Sequence, residues 1–169
     1  MEINKTCCFF GHRKIKQTQS MRKKLYDTIE HLIVVHKVDC FLFGSKSQFD
    51  TLCYETVSDI KSRFDDIKRI YVRAEFPNTD TAYNNYLLSR YEDTFYPPEI
   101  IKAGKAVYVE RNFLMIDKSK FCVVYYNNQY VPIKRKPGNS ALPERSSKSG
   151  TKIALDYAIS KNKAVFNVY

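Results

Sequence analysis

Four short segments carry the residue types that hold anions: Gly11-His12-Arg13-Lys14, Gly44-Ser45-Lys46-Ser47, Glu110-Arg111-Asn112 and Ser149-Gly150-Thr151. Each follows a short apolar run or opens a helical pattern. Glycine at a strand-to-helix turn lets the backbone approach a ligand closely. The free N–H groups of a helix start then face an anion, and the helix dipole adds to the attraction. Arg13 and Arg111 supply planar guanidinium groups that match a phosphate bidentately. One such corner alone is more often a turn requirement or a solvated loop. Four of them at one sheet edge point to an anion or nucleotide site.

Three titratable residues extend the range of chemistry. His12 has a pKa suited to proton transfer near neutrality, although a loop-orienting or ligand-contacting role fits it as well. Asp50 and Glu55 lie on one predicted helix and are the candidates for a catalytic carboxylate pair. The competing reading makes Asp50 a helix cap and Glu55 a solvated or structural residue. The chain has no GxGxxG after its first strand, no GxxxxGK[ST] and no GxSxG. A dinucleotide dehydrogenase, a P-loop NTPase and a nucleophile-elbow hydrolase are therefore disfavoured. Cys7, Cys8, Cys40, Cys53 and Cys122 are odd in number, lack CxxC spacing and stand in apolar surroundings. They read as reduced, buried thiols of a cytoplasmic protein. His12, His31 and His36 do not join them at metal-ligand spacing, so neither a metal site nor a cofactor is expected.

The elements that must position these residues follow from periodicity. The 169 residues are the length of a single domain, expected over residues 1–169. With 44% apolar and 27% charged residues, the chain is neither disordered nor collagen-like. No apolar run approaches the roughly 18–20 residues of a membrane helix, and no signal peptide opens the chain. Short apolar strands are predicted at 6–10, 39–43, 67–72, 106–109, 121–125 and 164–168. Between them lie amphipathic helices. One is capped by Ser20 and carries Leu25, Ile29, Leu32 and Ile33; a second carries Leu52, Cys53, Val57 and Ile60. The polar, Tyr-rich stretch 78–99 reads as a helix with irregular flanks. A further helix at 151–160 turns Ile153, Ala154, Tyr157 and Ala158 inwards. This alternation predicts an α/β fold with a mainly parallel sheet covered on both faces. Residues 127–149, with three prolines and several serines, read as a flexible basic loop, with 129–133 as a short hairpin strand.

The formal net charge of +10 is unevenly placed. Residues 1–30 hold seven basic and three acidic side chains, and 134–152 hold six and one. Residues 31–133 hold thirteen of each. The two basic concentrations bracket Gly11–Arg13 and Ser149–Thr151, which favours a compact anionic ligand over an extended DNA track. A solvated basic surface is the plainer alternative.

The same corners carry a family resemblance. CCFFGHR resembles the CxFTGHR opening of YpsA-like proteins of the SLOG superfamily. FLFGSKSQFDTLCYE keeps Gly44, Phe49, Asp50 and Glu55 of the second corner, with Ser and Gln replacing later glycines. Arg111, Asn112 and Met115 match RNxxM, followed by Asp117 and Ser119. SGTKIALDYAISKNKAVFNV matches the closing SGTxxxxxYAxxxxKxVxNV. The resemblance implies a Rossmann-like three-layer sandwich whose pocket takes a nucleotide or nucleotide-derived ligand. Members of the superfamily include phosphoribohydrolases, single-stranded DNA binders and ligand-sensing modules of bacterial defence systems. The hydrolase branch uses PGGxGTxxE, whose Glu assists glycosidic cleavage. This chain keeps Gly150-Thr151, lacks the Pro-Gly-Gly, and has Ala154 at the Glu position. The resemblance thus implies ligand binding without cleavage, by a sensor or sequestering protein of signalling nucleotides. It also implies self-association as a homodimer or higher oligomer. Two alternatives stand beside it. One is a nucleotide hydrolase or N-glycosidase using Glu55 or Asp50. The other is a single-stranded nucleic-acid-binding protein, suggested by the charge and thirteen tyrosines. Several of those tyrosines, such as Tyr71, Tyr125 and Tyr157, fall on predicted core positions.

Overall fold

The computed structural model describes residues 1–74, 81–100, 106–130 and 148–169. Its elements, in chain order, are β1 (Thr6–Gly11), α1 (Gln19–Val34), β2 (Cys40–Phe43), α2 (Gln48–Lys61), β3 (Lys68–Val72) and α3 (Thr81–Leu88). They continue with β4 (Asp93–Phe95), α4 (Ala106–Asp117), β5 (Phe121–Tyr125), α5 (Gly150–Ser160) and β6 (Ala164–Asn167). The strands form one sheet of order β4-β3-β2-β1-β5-β6, and every neighbouring pair is parallel.

Side chains alternate across a strand, so β1 feeds two cores. Cys7 and Phe9 pack with Leu25, Ile29, Phe49 and Val57 of α1 and α2, and with Leu87 of α3. Cys8 and Phe10 pack on the opposite face with Met115, Ile116, Ala154 and Ala158 of α4 and α5. The result is a Rossmann-like three-layer sandwich with an all-parallel sheet. From β1 the chain builds outwards through β2, β3 and β4, then crosses to β5 and β6 on the other side. That reversal makes β1 and β5 a topological switch point, where a crevice opens at the carboxyl ends of the strands.

Two expectations are corrected. Residues 106–109 are not a strand but the first turn of α4. Ala-Val-Tyr-Val is apolar and β-branched, and a short apolar run does not distinguish strand from helix. The burial of Arg111, Met115 and Ile116 at helical spacing decides it. The fourth strand lies instead at β4, inside the stretch read as helix with irregular flanks. Its three residues carry no apolar run, and pairing of Ile70 with Asp93 and Val72 with Phe95 holds them on the sheet edge.

Caps move as well. Thr18, not Ser20, caps α1 by accepting the Met21 N–H (3.1 Å). Ser47 caps α2 by accepting the Asp50 N–H (3.1 Å), so Asp50 is not the cap. Of the expected 129–133 strand, Gln129 and Tyr130 follow β5 without strand pairing. Residues 131–133, with the rest of the expected basic loop to 147, lie outside the described residues. All five cysteines are buried free thiols. Among the described residues, no helix is long and apolar enough to cross a membrane, and no cluster of His, Cys, Asp or Glu could hold a metal ion.

Candidate ligand-binding cleft

A cavity of about 440 Å³ opens at the carboxyl ends of β1 and β2. That volume lies within the range of small-molecule sites, roughly 300–1,000 Å³. Its wall contains Gly11, His12, Arg13, Gly44, Ser45, Lys46, Arg111, Asn112, Ser149, Gly150 and Thr151. Asp50 lines a smaller adjoining pocket of about 160 Å³ that shares Ser45, Lys46 and Tyr71 with the cleft. Glu55 is exposed on α2 and lines neither, so the fold does not bring it to Asp50's side of the helix.

The β1 corner is tightly built. An added Cβ on Gly11 would lie 2.4 Å from Cδ1 of the buried Phe49 ring, so only glycine fits there. The following loop is tied to α2 and β5: the Gln48 N–H donates to the Arg13 carbonyl (2.9 Å), and the Lys16 N–H donates to the Tyr125 hydroxyl (3.3 Å). His12 is only 2% exposed. The Asn127 N–H donates to its Nε2 (3.0 Å), and the ring stacks on Tyr130 at 3.8 Å between centroids. The Asn127 carbonyl also lies 3.2 Å from Nε2, so the tautomer sets which of the two groups Nε2 engages. The His12 Nδ1 is buried and has no hydrogen-bond partner among the described residues. Burial lowers the His12 pKa, opposed by the Asn127 carbonyl. Burial thus disfavours the charged imidazolium form of His12 at the cleft wall.

The β2 corner joins the two faces of the sheet. Arg111 projects from α4, and its Nη1 donates to the Gly44 carbonyl at the end of β2. Its Nη2 donates to Asn112 Oδ1 (3.1 Å), and its guanidinium lies 5.6 Å from the Tyr108 ring centroid. A Cβ on Gly44 would fall 2.8 Å from Arg111 Nε and 2.9 Å from Met115 Sδ. The glycine is what allows the arginine to cross here. Beyond it stands Asp50, 3% exposed. Burial pushes its carboxyl up to about 7, against the pull of the Arg111 guanidinium and the Gly44 and Ser45 N–H groups. Its Oδ1 has no hydrogen-bond partner among the described residues.

The third wall is the start of α5. Ser149 caps it by accepting the Lys152 N–H (3.1 Å), and Gly150 and Thr151 lie against the cavity. The positive end of the helix dipole faces the cleft. Arg13 and Lys46 stand exposed at the rim. The cleft is thus concave and positive, with backbone and guanidinium donors and, among the described residues, no carboxylate on its wall. Such a wall suits a phosphorylated compound.

Tyr71, Tyr108, Met115 and Tyr130 line the cleft without having been expected there as ligand contacts. Tyr108 stands three residues before Arg111, a relation visible only once 106–117 is read as a helix. Tyr130 carries no local signal, because its stacking on His12 is set by the return of β5 beside β1.

No protein-family model matches the chain, and no curated protein does. Among solved structures, DNA processing protein A from Helicobacter pylori, described for its mode of binding single-stranded DNA, is similar in fold. The TM-score is 0.58 at 12% sequence identity, covering 97% of this chain and 65% of that one. The likeness is one of fold.

Proposed function

We propose that the protein binds a nucleotide or nucleotide-derived small molecule in the 440 Å³ cleft and leaves it intact, as a cytoplasmic sensor or sequestering protein. The observation that carries this reading is the convergence of the Gly11, Gly44 and Gly150 corners with Arg111 around one concave wall that holds no carboxylate among the described residues. The resemblance to YpsA-like proteins of the SLOG superfamily supports the same ligand class. Binding without cleavage rests on Ala154, which is buried on α5 where the phosphoribohydrolase motif has its Glu, and on the exposure of Glu55. The methyl group of alanine neither donates a proton nor steadies an oxocarbenium-like state.

The test is isothermal titration with nucleoside monophosphates, cyclic nucleotides and ADP-ribose derivatives, followed by mass spectrometry of the ligand recovered after denaturation. Saturable binding with intact recovery is expected. Failure to bind any of them overturns the reading, and release of free base moves it to the hydrolase alternative.

A second reading, single-stranded nucleic-acid binding, is favoured by the fold likeness to the Helicobacter pylori DNA-binding protein and by the +10 charge. It predicts oligonucleotide affinity that falls steeply with salt, with a slope reflecting several phosphates. A mononucleotide that competes fully for the same site points back to the first reading.

A further inference from the structure

Beside the cleft, α2, β3 and α3 enclose a pocket of different character. Its volume is about 160 Å³, close to the ~150 Å³ of an engineered cavity that takes one benzene ring. Tyr54, Tyr71 and Tyr91 form its packed side, with Tyr54 and Tyr71 at 4.9 and 5.3 Å from Tyr91 between centroids. Tyr83 and Tyr86 of α3 bring two nearly parallel rings, 18° apart in plane. Cations lie over these faces: Lys46 over Tyr83 at 5.6 Å, and Arg90 over Tyr54 at 4.7 Å and Tyr86 at 5.9 Å.

The pocket's one carboxylate among the described residues is Asp50, whose buried Oδ1 lacks a partner. An unsatisfied buried acceptor calls for a donor. The carboxylate also disfavours a phosphate here, whereas the adjoining cleft favours one. The two cavities meet at Ser45 and Lys46.

We infer that this tyrosine-lined pocket is the nucleobase subsite of the ligand held in the cleft, with Asp50 accepting from an amino or imino group of the base and the α3 tyrosines stacking on its face. The inference rests on the cleft binding a phosphorylated ligand, and it fixes the ligand's direction. The phosphate sits among the Gly11, Gly150 and Arg111 corners; the base lies towards α3. Aromatic stacking tolerates any base, because every base has a π-face. Asp50 then selects for bases that turn a donor inwards.

The test compares ribose 5-phosphate with AMP, GMP, CMP and UMP by isothermal titration, in wild type, Tyr86→Ala, Asp50→Asn and the control Glu55→Gln. Tyr86 is 53% exposed, so its truncation leaves the fold intact, which circular dichroism checks. The tightest nucleotide is expected to bind at least tenfold more tightly than ribose 5-phosphate. Tyr86→Ala cuts that ratio to threefold or less without changing ribose 5-phosphate affinity. Asp50→Asn reduces the ratio, and Glu55→Gln does not. Equal affinity of nucleotide and ribose 5-phosphate in wild type, or a ratio that survives Tyr86→Ala, overturns the subsite while the cleft reading stands. Absence of binding by every phosphorylated probe overturns both.

Discussion

Gly11 and Gly44 on one side, and Gly150 on the other, are the same residue at the rim of the same cleft, yet the fold treats them differently. A side chain on Gly11 would run into Phe49, and one on Gly44 into Arg111 and Met115. A side chain on Gly150 would meet no atom of the described residues within 4 Å. The first two glycines are required by packing whether or not a ligand ever arrives. The third leaves open space among the described residues, where folding alone does not ask for glycine. The sequence motif treats all three alike; geometry separates a structural glycine from one whose missing side chain is available to a ligand.

The comparison breaks most severely at Gly11. The methyl of Gly11→Ala would sit 2.4, 2.7 and 3.0 Å from Cδ1, Cγ and Cβ of Phe49, so ring rotation gives no relief. Overpacking of this kind should cost about 3 kcal/mol of unfolding free energy. Urea denaturation measures it, and a loss under about 0.5 kcal/mol would mean that Phe49 yields freely. Gly44→Ala comes next, at about 2 kcal/mol, because Arg111 Nε and Cδ belong to a side chain that can swing aside. It swings only by giving up its bond to the Gly44 carbonyl and its approach to Asp50. A double-mutant cycle with Arg111→Met should therefore show strong non-additivity. Additive costs would detach the arginine from the glycine.

Asp50 sharpens the comparison through pH. Its carboxyl is raised from an ordinary 3.8 to about 7 in the folded protein, so the folded state holds that proton more tightly than the unfolded chain does. The associated stability is present below about pH 4 and is lost as pH rises towards 7. His12, lowered by burial, works in the opposite sense: its neutral form is the folded one, and stability rises with pH through its titration. Comparing Asp50→Asn with wild type removes the His12 contribution. The amide copies the protonated acid, so the variant should gain on wild type by about 2.5 kcal/mol between pH 5 and pH 8. A constant difference across that range would place an ionised carboxylate at Asp50 throughout.

Much of this was legible in the residues because the signals were local. TCCFF, CFLF and FCVVY are fully buried strands in a doubly covered sheet, and continuous apolar runs announce that state. Glycine followed by polar and basic residues marked the corners for the same reason. What escaped notice depends on contacts distant in sequence. Asp93–Phe95 is a strand only because β3 offers it an edge, and residues 106–109 are helical because Arg111 and Met115 must face Gly44. The pocket made by the tyrosines of α3 is equally hidden, since nothing in their spacing shows that they line it together with Asp50.

The smallest expected effect is the one that separates folding from binding. Gly150 opens α5 with ordinary backbone geometry and room for a methyl group, so Gly150→Ala meets no clash among the described residues. Replacing glycine where the native conformation suits alanine restricts the unfolded chain, and should add about 0.5 kcal/mol to stability. The same methyl would project at the mouth of a helix N-terminus, where an anion approaches the backbone most closely. The variant should thus denature at slightly higher urea while binding its nucleotide several-fold more weakly, with ribose 5-phosphate weakened in the same proportion because the methyl lies at the phosphate end. Gly11→Ala and Gly44→Ala cannot give that signature, since any loss of binding there comes with a loss of stability. If Gly150→Ala gains stability and keeps full affinity, the open space at α5 is not where the phosphate sits, and the cleft must hold its anion on the β1 and β2 corners alone.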